Sequence, residues 1–110
     1  MFPEVLYIPR LMGLKTYKVL SGSMEPEYHV GSVVYVEKSS IDDIEVGDVI
    51  TFYINDNTVV THRVVDKDND TESFHTKGDA NETEDGGSVA YDKVVGKVVL
   101  NVPYLGYILR

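Results

Sequence analysis

Short runs rich in Val, Ile, Tyr, Phe and Thr recur along this chain, and turn-forming residues separate them. Such runs are typical of β-strands, and no segment carries the apolar periodicity of a helix. We therefore predict strands at 17–20, 32–37, 49–54, 58–66, 73–77 and 94–100. A chain of 110 residues has room for one hydrophobic core. The sequence thus predicts a single domain over 1–110 that is mostly β, compact and antiparallel, with little helix.

One predicted hairpin places a histidine on an apolar face. The polar residues 55–57 join two of the predicted strands, a spacing typical of a hairpin loop. Side chains alternate between the two faces of a strand, so Val60, His62 and Val64 share one face. His62 is therefore predicted to be partly desolvated and rigidly held between two valines. A long acidic loop is expected at 81–88.

Charge and composition exclude several kinds of function. The formal net charge is −8, much of it in residues 42–48 and 66–85. An acidic surface repels phosphate backbones, so nucleic acid is not expected as a partner. Cysteine is absent, which excludes disulfides and thiolate chemistry. Residues 66–70 imitate the start of a calcium loop, but Thr71 and Lys77 replace the glycine and glutamate that the loop needs. We predict neither a metal nor a cofactor.

The two ends of the chain differ from its middle. Residues 1–14 and 102–110 are apolar, poor in charge and punctuated by Gly and Pro. Neither reaches the roughly 20 apolar residues that cross a bilayer. They are either edges of the core or juxtamembrane flanks of membrane spans outside this sequence, and we expect the second.

Three elements hold residues suited to nucleophilic catalysis: the Ser21-Gly22-Ser23 turn, His62, and the acidic pair Asp79 and Asp85. A serine becomes a nucleophile only when a base accepts its proton and donors stabilise the oxyanion. Each element alone has a simpler explanation as a surface turn, a core histidine or a solvated loop. Together they supply a serine, a histidine and an aspartate, which form one catalytic unit in any chain order.

The serine turn contains a glycine that we expect to shape the backbone beside the nucleophile. Gly22 is predicted to adopt a backbone conformation closed to other residues and so to expose the hydroxyl and amide of Ser23.

The stretch Ser21-Gly22-Ser23-Met24-Glu25-Pro26 resembles the nucleophile box of type I signal peptidases. Residues 46–52, 61–64 and 76–81 are similar to later boxes of that family and follow in the same order. The resemblance covers residues 17–100. It implies a serine endopeptidase of the signal peptidase β fold, which cleaves N-terminal signal peptides from translocated preproteins after small residues.

The base identifies the subclass that the chain resembles. Housekeeping bacterial signal peptidases use a lysine at the position where this chain has His62. The histidine is similar to the endoplasmic-reticulum type, which occurs in eukaryotes, archaea and some spore-forming bacteria. Lys67 and Lys77 do not fall at the position of the dyad lysine. Free imidazole has a pKa of about 6.5, so a histidine base needs less desolvation than a lysine.

The resemblance also implies roles for individual residues. Ser23 would attack the scissile carbonyl, and His62 would take its proton and later protonate the leaving amine. Asp85 matches the acidic position that orients the histidine, and Asp79 matches an earlier acidic position of the same box. Both carboxylates are expected close to His62, where they would favour the imidazolium that forms during attack.

Substrate binding is expected around the nucleophile. The Ser23 amide, with the Ser21 hydroxyl, would form the oxyanion hole, and Met24 belongs to the same substrate-binding region. A signal peptide would bind extended, as an added strand, with small side chains in shallow pockets. The family implies membrane anchoring, an extracytoplasmic catalytic domain that contacts the membrane surface, and accessory subunits in an unspecified number.

Two other functions remain open from the residues themselves. A self-cleaving repressor-type protease has a similar β core, but it would need a lysine base and a DNA-binding partner domain. A non-catalytic β module that binds peptides or proteins would keep the fold without bringing Ser23, His62 and Asp85 together.

Overall fold

Antiparallel strand pairing organises the computed structural model, which describes residues 14–103. The strands are β1 (Leu14–Lys18), β2 (Val33–Glu37), β3 (Val49–Asn55), β4 (Thr58–Asp68), β5 (Ser73–Lys77), β6 (Ser88–Ala90) and β7 (Val94–Val102). Short 3-10 helices cover Ile41–Asp43 and Tyr91–Lys93. Within these described residues the strands form one seven-stranded sheet in the order β1-β2-β7-β3-β4-β5-β6, with every neighbouring pair antiparallel. The predicted fold class is confirmed.

The strand predictions hold in the middle of the chain and are less accurate at its edges. β1 ends at Lys18 rather than continuing to residue 20, because the Val19 amide bonds to the Ser32 carbonyl across a loop. The sequence does not predict β6, whose three residues are ordered by pairing with β5. The expected flanks lie almost wholly outside the described residues. Among residues 14–103, no helix has the length and apolar character to cross a membrane.

The β3–β4 hairpin is present as predicted and fixes the register of the site. Ile50 pairs with His62, and Val49 pairs with Arg63. Directly paired residues point to the same face of a sheet, whereas neighbours along a strand point to opposite faces. His62 therefore lies on the face of Ile50, and Arg63 lies on the other.

Two hydrophobic clusters cover the two faces of β3. The first core lies on the His62 face and consists of Ile44, Ile50, Phe52, Val64, Phe74 and Val89. The second core includes Val49, which points the opposite way, and consists of Met24, Tyr28, Val34, Val36 and Val49. The sheet is therefore buried on both sides near the middle of β3, next to His62 on β4.

β7 joins the two parts of the sheet at a point of close backbone contact. Lys97 pairs with Glu37 of β2 and also with Ile50 of β3. At the neighbouring Gly96, an added Cβ would lie 2.2 Å from the Glu37 carbonyl oxygen. No real Cβ fits at that distance, so the absence of a side chain is what allows β2 and β3 to share this strand.

We predict that Gly96→Ala destabilises the domain by about 3 kcal/mol, because the backbone of Glu37 must move. Gly86→Ala is the matched control, since a Cβ there meets no heavy atom within 4 Å. Urea unfolding of both variants beside the wild type measures the difference. Equal stability of the two variants would contradict this account of β7.

Candidate active site

The serine turn follows β1 and is held from two sides. Met24 is only 2% exposed and packs with Tyr28 in the second core. The Tyr28 amide donates to the Met24 carbonyl at 2.9 Å, which closes the turn behind the serine. On the other side, the Ser23 carbonyl accepts the Ala80 amide at 2.8 Å. The position of the Ser23 hydroxyl is therefore set by core packing and by the loop after β5.

His62 lies between this hydroxyl and a carboxylate. Its side chain sits on the first-core face of β4, edge-on to the Phe52 ring at a centroid distance of 6.3 Å, and the residue is 8% exposed. Nε2 is 3.1 Å from Ser23 Oγ, and Nδ1 is 2.6 Å from Asp85 Oδ2. With the proton on Nδ1 donated to Asp85, the Nε2 lone pair faces the serine hydroxyl and can accept its proton.

Asp85 is fixed by a residue to which the sequence assigned no role. The Thr76 hydroxyl donates to Asp85 Oδ2 at 2.6 Å, and the Asp85 amide donates to the Thr76 carbonyl at 2.8 Å. Thr76 is fully buried on β5, opposite Val64. Strand alternation beside Phe74 places Thr76 on the buried face, and a buried hydroxyl needs a partner, which is the signal that could have identified it.

The structure thus brings the predicted serine, histidine and second acidic residue into one hydrogen-bonded line. The lysines that we weighed against the histidine bond elsewhere. Lys67 Nζ lies 3.7 Å from a Glu45 carboxylate oxygen, and Lys77 Nζ donates to the Gly78 carbonyl at 3.3 Å. The His62 imidazole, by contrast, lies within hydrogen-bond distance of the Ser23 hydroxyl.

Donors for an oxyanion lie within the serine turn. Ser21 Oγ is 3.0 Å from Ser23 Oγ, and the Ser23 amide donates to Ser21 Oγ in a long bond of 3.4 Å. Both donors therefore lie within hydrogen-bond distance of each other at the Ser23 hydroxyl, as the expected oxyanion site requires. Met24 contributes differently, since its buried Sδ accepts the Asp79 amide at 3.3 Å. It supports the turn and also lines a cleft beside Ser23.

Asp79 belongs to a neighbouring ion pair rather than to the hydrogen-bonded line. Arg63 Nε and Nη2 donate to the two Asp79 carboxylate oxygens at 2.9 and 2.7 Å. The third guanidinium nitrogen, Nη1, donates to the Gly47 carbonyl at 2.8 Å. The hydrogen bonds from Arg63 lower the pKa of Asp79 below its ordinary 3.8, against the opposing effect of burial. The Asp79 carboxylate therefore ties the loop after β5 to β4, and a weaker electrostatic interaction with His62 acts on its pKa in the same direction.

Gly78 is the glycine on which the site geometry depends, and Gly22 is not. A Cβ on Gly78 would lie 2.6 Å from the Ser23 carbonyl oxygen and 3.1 Å from His62 Nε2. At Gly22 the φ angle is outside the left-handed region, and a Cβ would meet only the Glu25 Cγ at 3.6 Å. The expectation that Gly22 supplies a special conformation is wrong, because the turn is held by the burial of Met24 instead.

A cleft of 460 Å³ runs from the serine turn along β4, and we call it the serine cleft. Its walls are largely apolar, and it contains both Ser23 and His62. Its apolar walls include Tyr17, Val19, Val34, Val59 and Val60. The cleft follows an open strand edge, since β5 pairs with β4 only from Arg63 onward.

Comparison with known proteins gives relatives of one kind. Residues 3–78 match the family described as signal peptidase, peptidase S26. The chain is 44% identical over 89 residues to Signal peptidase I W of Bacillus subtilis, covering 78% of this chain and 47% of the relative. It is 35% identical over 101 residues to the human Signal peptidase complex catalytic subunit SEC11C, covering 82% and 53%. For the SEC11 subunit of Fusarium vanettenii the identity is 34% over 101 residues, covering 82% and 59%. The chain spans about half the length of the curated relatives it matches.

We predict that Gly78→Ala abolishes labelling of Ser23 by a fluorophosphonate reagent, because the added methyl group separates Ser23 from His62. Gly22→Ala is the matched control in the serine turn and is expected to label at close to the wild-type rate. Labelling rates and melting curves of the two variants are compared. Loss of labelling in Gly22→Ala, with Gly78→Ala unaffected, would show that the site depends on Gly22 and not on Gly78.

The Arg63–Asp79 pair should make stability depend on acid pH. Because the pKa of Asp79 is lowered in the folded state, its contribution is fully present above the ordinary value of 3.8 and is lost as the pH falls through the lowered value. Asp79→Asn should therefore lower the free energy of unfolding by on the order of 1 kcal/mol at neutral pH, a figure reduced because the ion pair is partly exposed to solvent. Urea unfolding at several pH values should show this difference shrinking in acid. A difference that persists unchanged at the lowest pH would contradict the role of the charge.

Proposed function

This chain belongs to the signal peptidase family, peptidase S26, and from this premise we propose that it is a serine endopeptidase that cleaves N-terminal signal peptides from translocated preproteins. The observation that carries the proposal is the line of contacts from Ser23 through His62 to Asp85, at 3.1 and 2.6 Å. A module that only binds peptides has no need of this alignment, in which a hydroxyl, a base and a carboxylate are each held by separate elements.

In the acylation step, Ser23 Oγ bonds to the scissile carbonyl carbon while its proton passes to His62 Nε2. The resulting imidazolium is stabilised by the Asp85 carboxylate, which already accepts a hydrogen bond from Nδ1. When the carbon–nitrogen bond breaks, the proton on Nε2 moves to the leaving amine. The mature protein then departs with a free amino group, and the signal peptide remains as an ester on Ser23.

In the deacylation step, water gives its proton to His62 as its oxygen attacks the ester carbon. The carbon–Oγ bond breaks, Ser23 recovers the proton, and the signal peptide leaves as a carboxylic acid. In both steps, negative charge develops on the carbonyl oxygen. We assign the Ser23 amide and the Ser21 hydroxyl as its donors because both lie at the nucleophile. Losing one such donor typically costs about 10²–10³ in turnover.

The substrate is proposed to bind as an extended strand on the open edge of β4. Residues 58–62 pair with β3 on one side, and β5 joins the other side only from Arg63 onward. Free amide and carbonyl groups at such an edge bind an added strand through main-chain hydrogen bonds. The apolar walls of the serine cleft then hold the side chains before the scissile bond, and we propose that these side chains are small, as in the family.

We further propose that residues 1–110 are one catalytic domain held at the membrane on its extracytoplasmic side. Leu20, at the rim of the serine cleft, is 80% exposed, and such an apolar side chain favours a nearby apolar phase. Several relatives are named catalytic subunits of a signal peptidase complex, so accessory subunits are a further proposed class of partner.

Cleavage of a synthetic signal peptide in detergent or lipid tests the proposal. Ser23→Ala and His62→Ala should each lower kcat by about 10⁴ or more, because each removes a group that acts on the reacting atoms. His29→Ala is the matched control, since His29 lies near the serine turn and pairs with Glu25 outside the line of contacts. Full activity of His62→Ala would contradict the assigned base.

Labelling by a serine-directed reagent decides between a peptidase and a binding module. Reaction with Ser23 that also requires His62 supports the peptidase even where a chosen peptide is a poor substrate. Failure of both labelling and cleavage in the wild type would favour the non-catalytic module.

A further inference from the structure

The Asp85 carboxylate lies where it has room to turn. Asp85 belongs to the irregular segment between β5 and β6, and Gly86 and Gly87 follow it. At both glycines an added Cβ would meet no heavy atom within 4 Å, so this part of the segment borders open space. The Asp85 side chain is 29% exposed and faces a cleft of 580 Å³ that also contains His62 and Thr76. A carboxylate in these surroundings stays directed at His62 only if another group restrains it.

Thr76 restrains both the backbone and the side chain of Asp85. The Asp85 amide donates to the Thr76 carbonyl at 2.8 Å, and Thr76 Oγ1 donates to Asp85 Oδ2 at 2.6 Å. His62 Nδ1 lies 2.6 Å from the same carboxylate oxygen. An ionised carboxylate is only an acceptor, so the hydroxyl and Nδ1 must each donate a hydrogen to it. His62 then carries its proton on Nδ1, which leaves Nε2 to accept the proton of Ser23.

The surroundings of Thr76 favour an apolar side chain at this position. Thr76 is fully buried, lies opposite Val64 and shares a strand face with Phe74, and both of these neighbours belong to the first core. Burial of a hydroxyl group disfavours folding, whereas valine has nearly the same shape as threonine and would add buried apolar surface. Packing alone therefore favours valine. The hydroxyl is better explained by the orientation of Asp85 than by the stability of the core.

We propose that Thr76 is a positioning residue for the reaction. Its hydroxyl holds the Asp85 carboxylate against His62 and so keeps the imidazole in the tautomer that accepts the Ser23 proton. This inference rests on the proposed function, and Thr76 acts in it through Asp85 rather than on the reacting atoms. Thr76 lies outside the serine cleft. Loss of its hydroxyl should therefore lower kcat and leave KM close to the wild-type value.

Three variants separate the effect of the hydroxyl from the effect of packing. Thr76→Val removes the hydroxyl and keeps the shape, and it should lower kcat by about 10- to 100-fold. Thr76→Ser keeps the hydroxyl but loses a buried methyl group, so it should recover most of that activity while melting at a lower temperature than Thr76→Val. Ser73→Ala is the matched control, since Ser73 is a buried residue of the same strand whose hydroxyl bonds to Thr71 at 2.7 Å.

Peptide cleavage and melting curves of these variants give the first test. A residue that only supports the fold makes activity follow stability, whereas we expect opposite orders for Thr76→Val and Thr76→Ser. Ser73→Ala should keep the wild-type kcat. A folded Thr76→Val with full kcat overturns the inference. A Thr76→Val that is less stable than Thr76→Ser, or that does not fold, also overturns it, because the hydroxyl would then act on the fold.

Removal of Asp85 tests whether Thr76 acts through this carboxylate. With Asp85 present, Thr76→Val should slow the labelling of Ser23 by a fluorophosphonate reagent at least about 10-fold. In the Asp85→Ala background the same change should slow labelling by less than about 2-fold, because residues that act as a unit have non-additive effects. A high reagent concentration and long reaction times make the slow rates measurable. An equal loss in both backgrounds overturns the inference.

The tautomer of His62 gives a readout that needs no activity. Nitrogen-15 NMR of the neutral imidazole should show the Nδ1–H tautomer in the wild type and in Thr76→Ser, and a mixture of both tautomers in Thr76→Val. An unchanged tautomer in Thr76→Val overturns the inference and leaves the peptidase intact. A wild type that neither reacts with the labelling reagent nor cleaves peptides overturns the proposed function itself, whichever tautomer is observed.

Discussion

The register between β3 and β4 is the constraint on which the rest of the site depends. It pairs Ile50 with His62 and Val49 with Arg63, so two adjacent residues of one strand point to opposite faces of the sheet. Each then holds an acidic residue from the single connection between β5 and β6. His62 is 2.6 Å from Asp85 on one face, and Arg63 binds Asp79 through both carboxylate oxygens on the other. A shift of one residue would exchange the two partners and remove the base from the serine.

The connection therefore contacts both faces of the sheet beside the end of β5, and Gly78 is its first residue. Its missing side chain lets the backbone run beside both the Ser23 carbonyl and His62 Nε2. The Ala80 amide then bonds to Ser23, and Thr76 bonds to Asp85. The serine, the histidine and the aspartate come from different elements, and residues 76–80 at the end of β5 contact all three. These bonds hold the acidic residues Asp79 and Asp85 in fixed positions, although the loop that contains them is rich in acidic residues.

The His62 side chain is nearly buried but still borders two clefts. The imidazole is nearly covered by Phe52, the serine turn and the loop after β5, which holds it in a single orientation. Clefts nevertheless open on both sides of it, one toward Ser23 and one toward Asp85. In the mechanism that we propose, His62 needs this combination, because it must reach both the Ser23 hydroxyl and the leaving amine without rotating freely.

Much of this molecule follows from the sequence alone. Alternating apolar residues determine the strands and the face of His62, and the ordered boxes identify the serine, the histidine and the second acidic residue, because strand periodicity and motif chemistry are local properties of a chain. Only the tertiary structure shows that Thr76 bonds to Asp85 and that Arg63 bonds to Asp79. It also shows that the glycine whose missing side chain the site requires is Gly78 and not Gly22. Pairing with β5 forms β6, and Asp79 forms an ion pair with Arg63. These outcomes depend on which segments approach across the sheet edge, and the energy of a buried hydroxyl, an ion pair or a missing Cβ is set by neighbours distant in sequence.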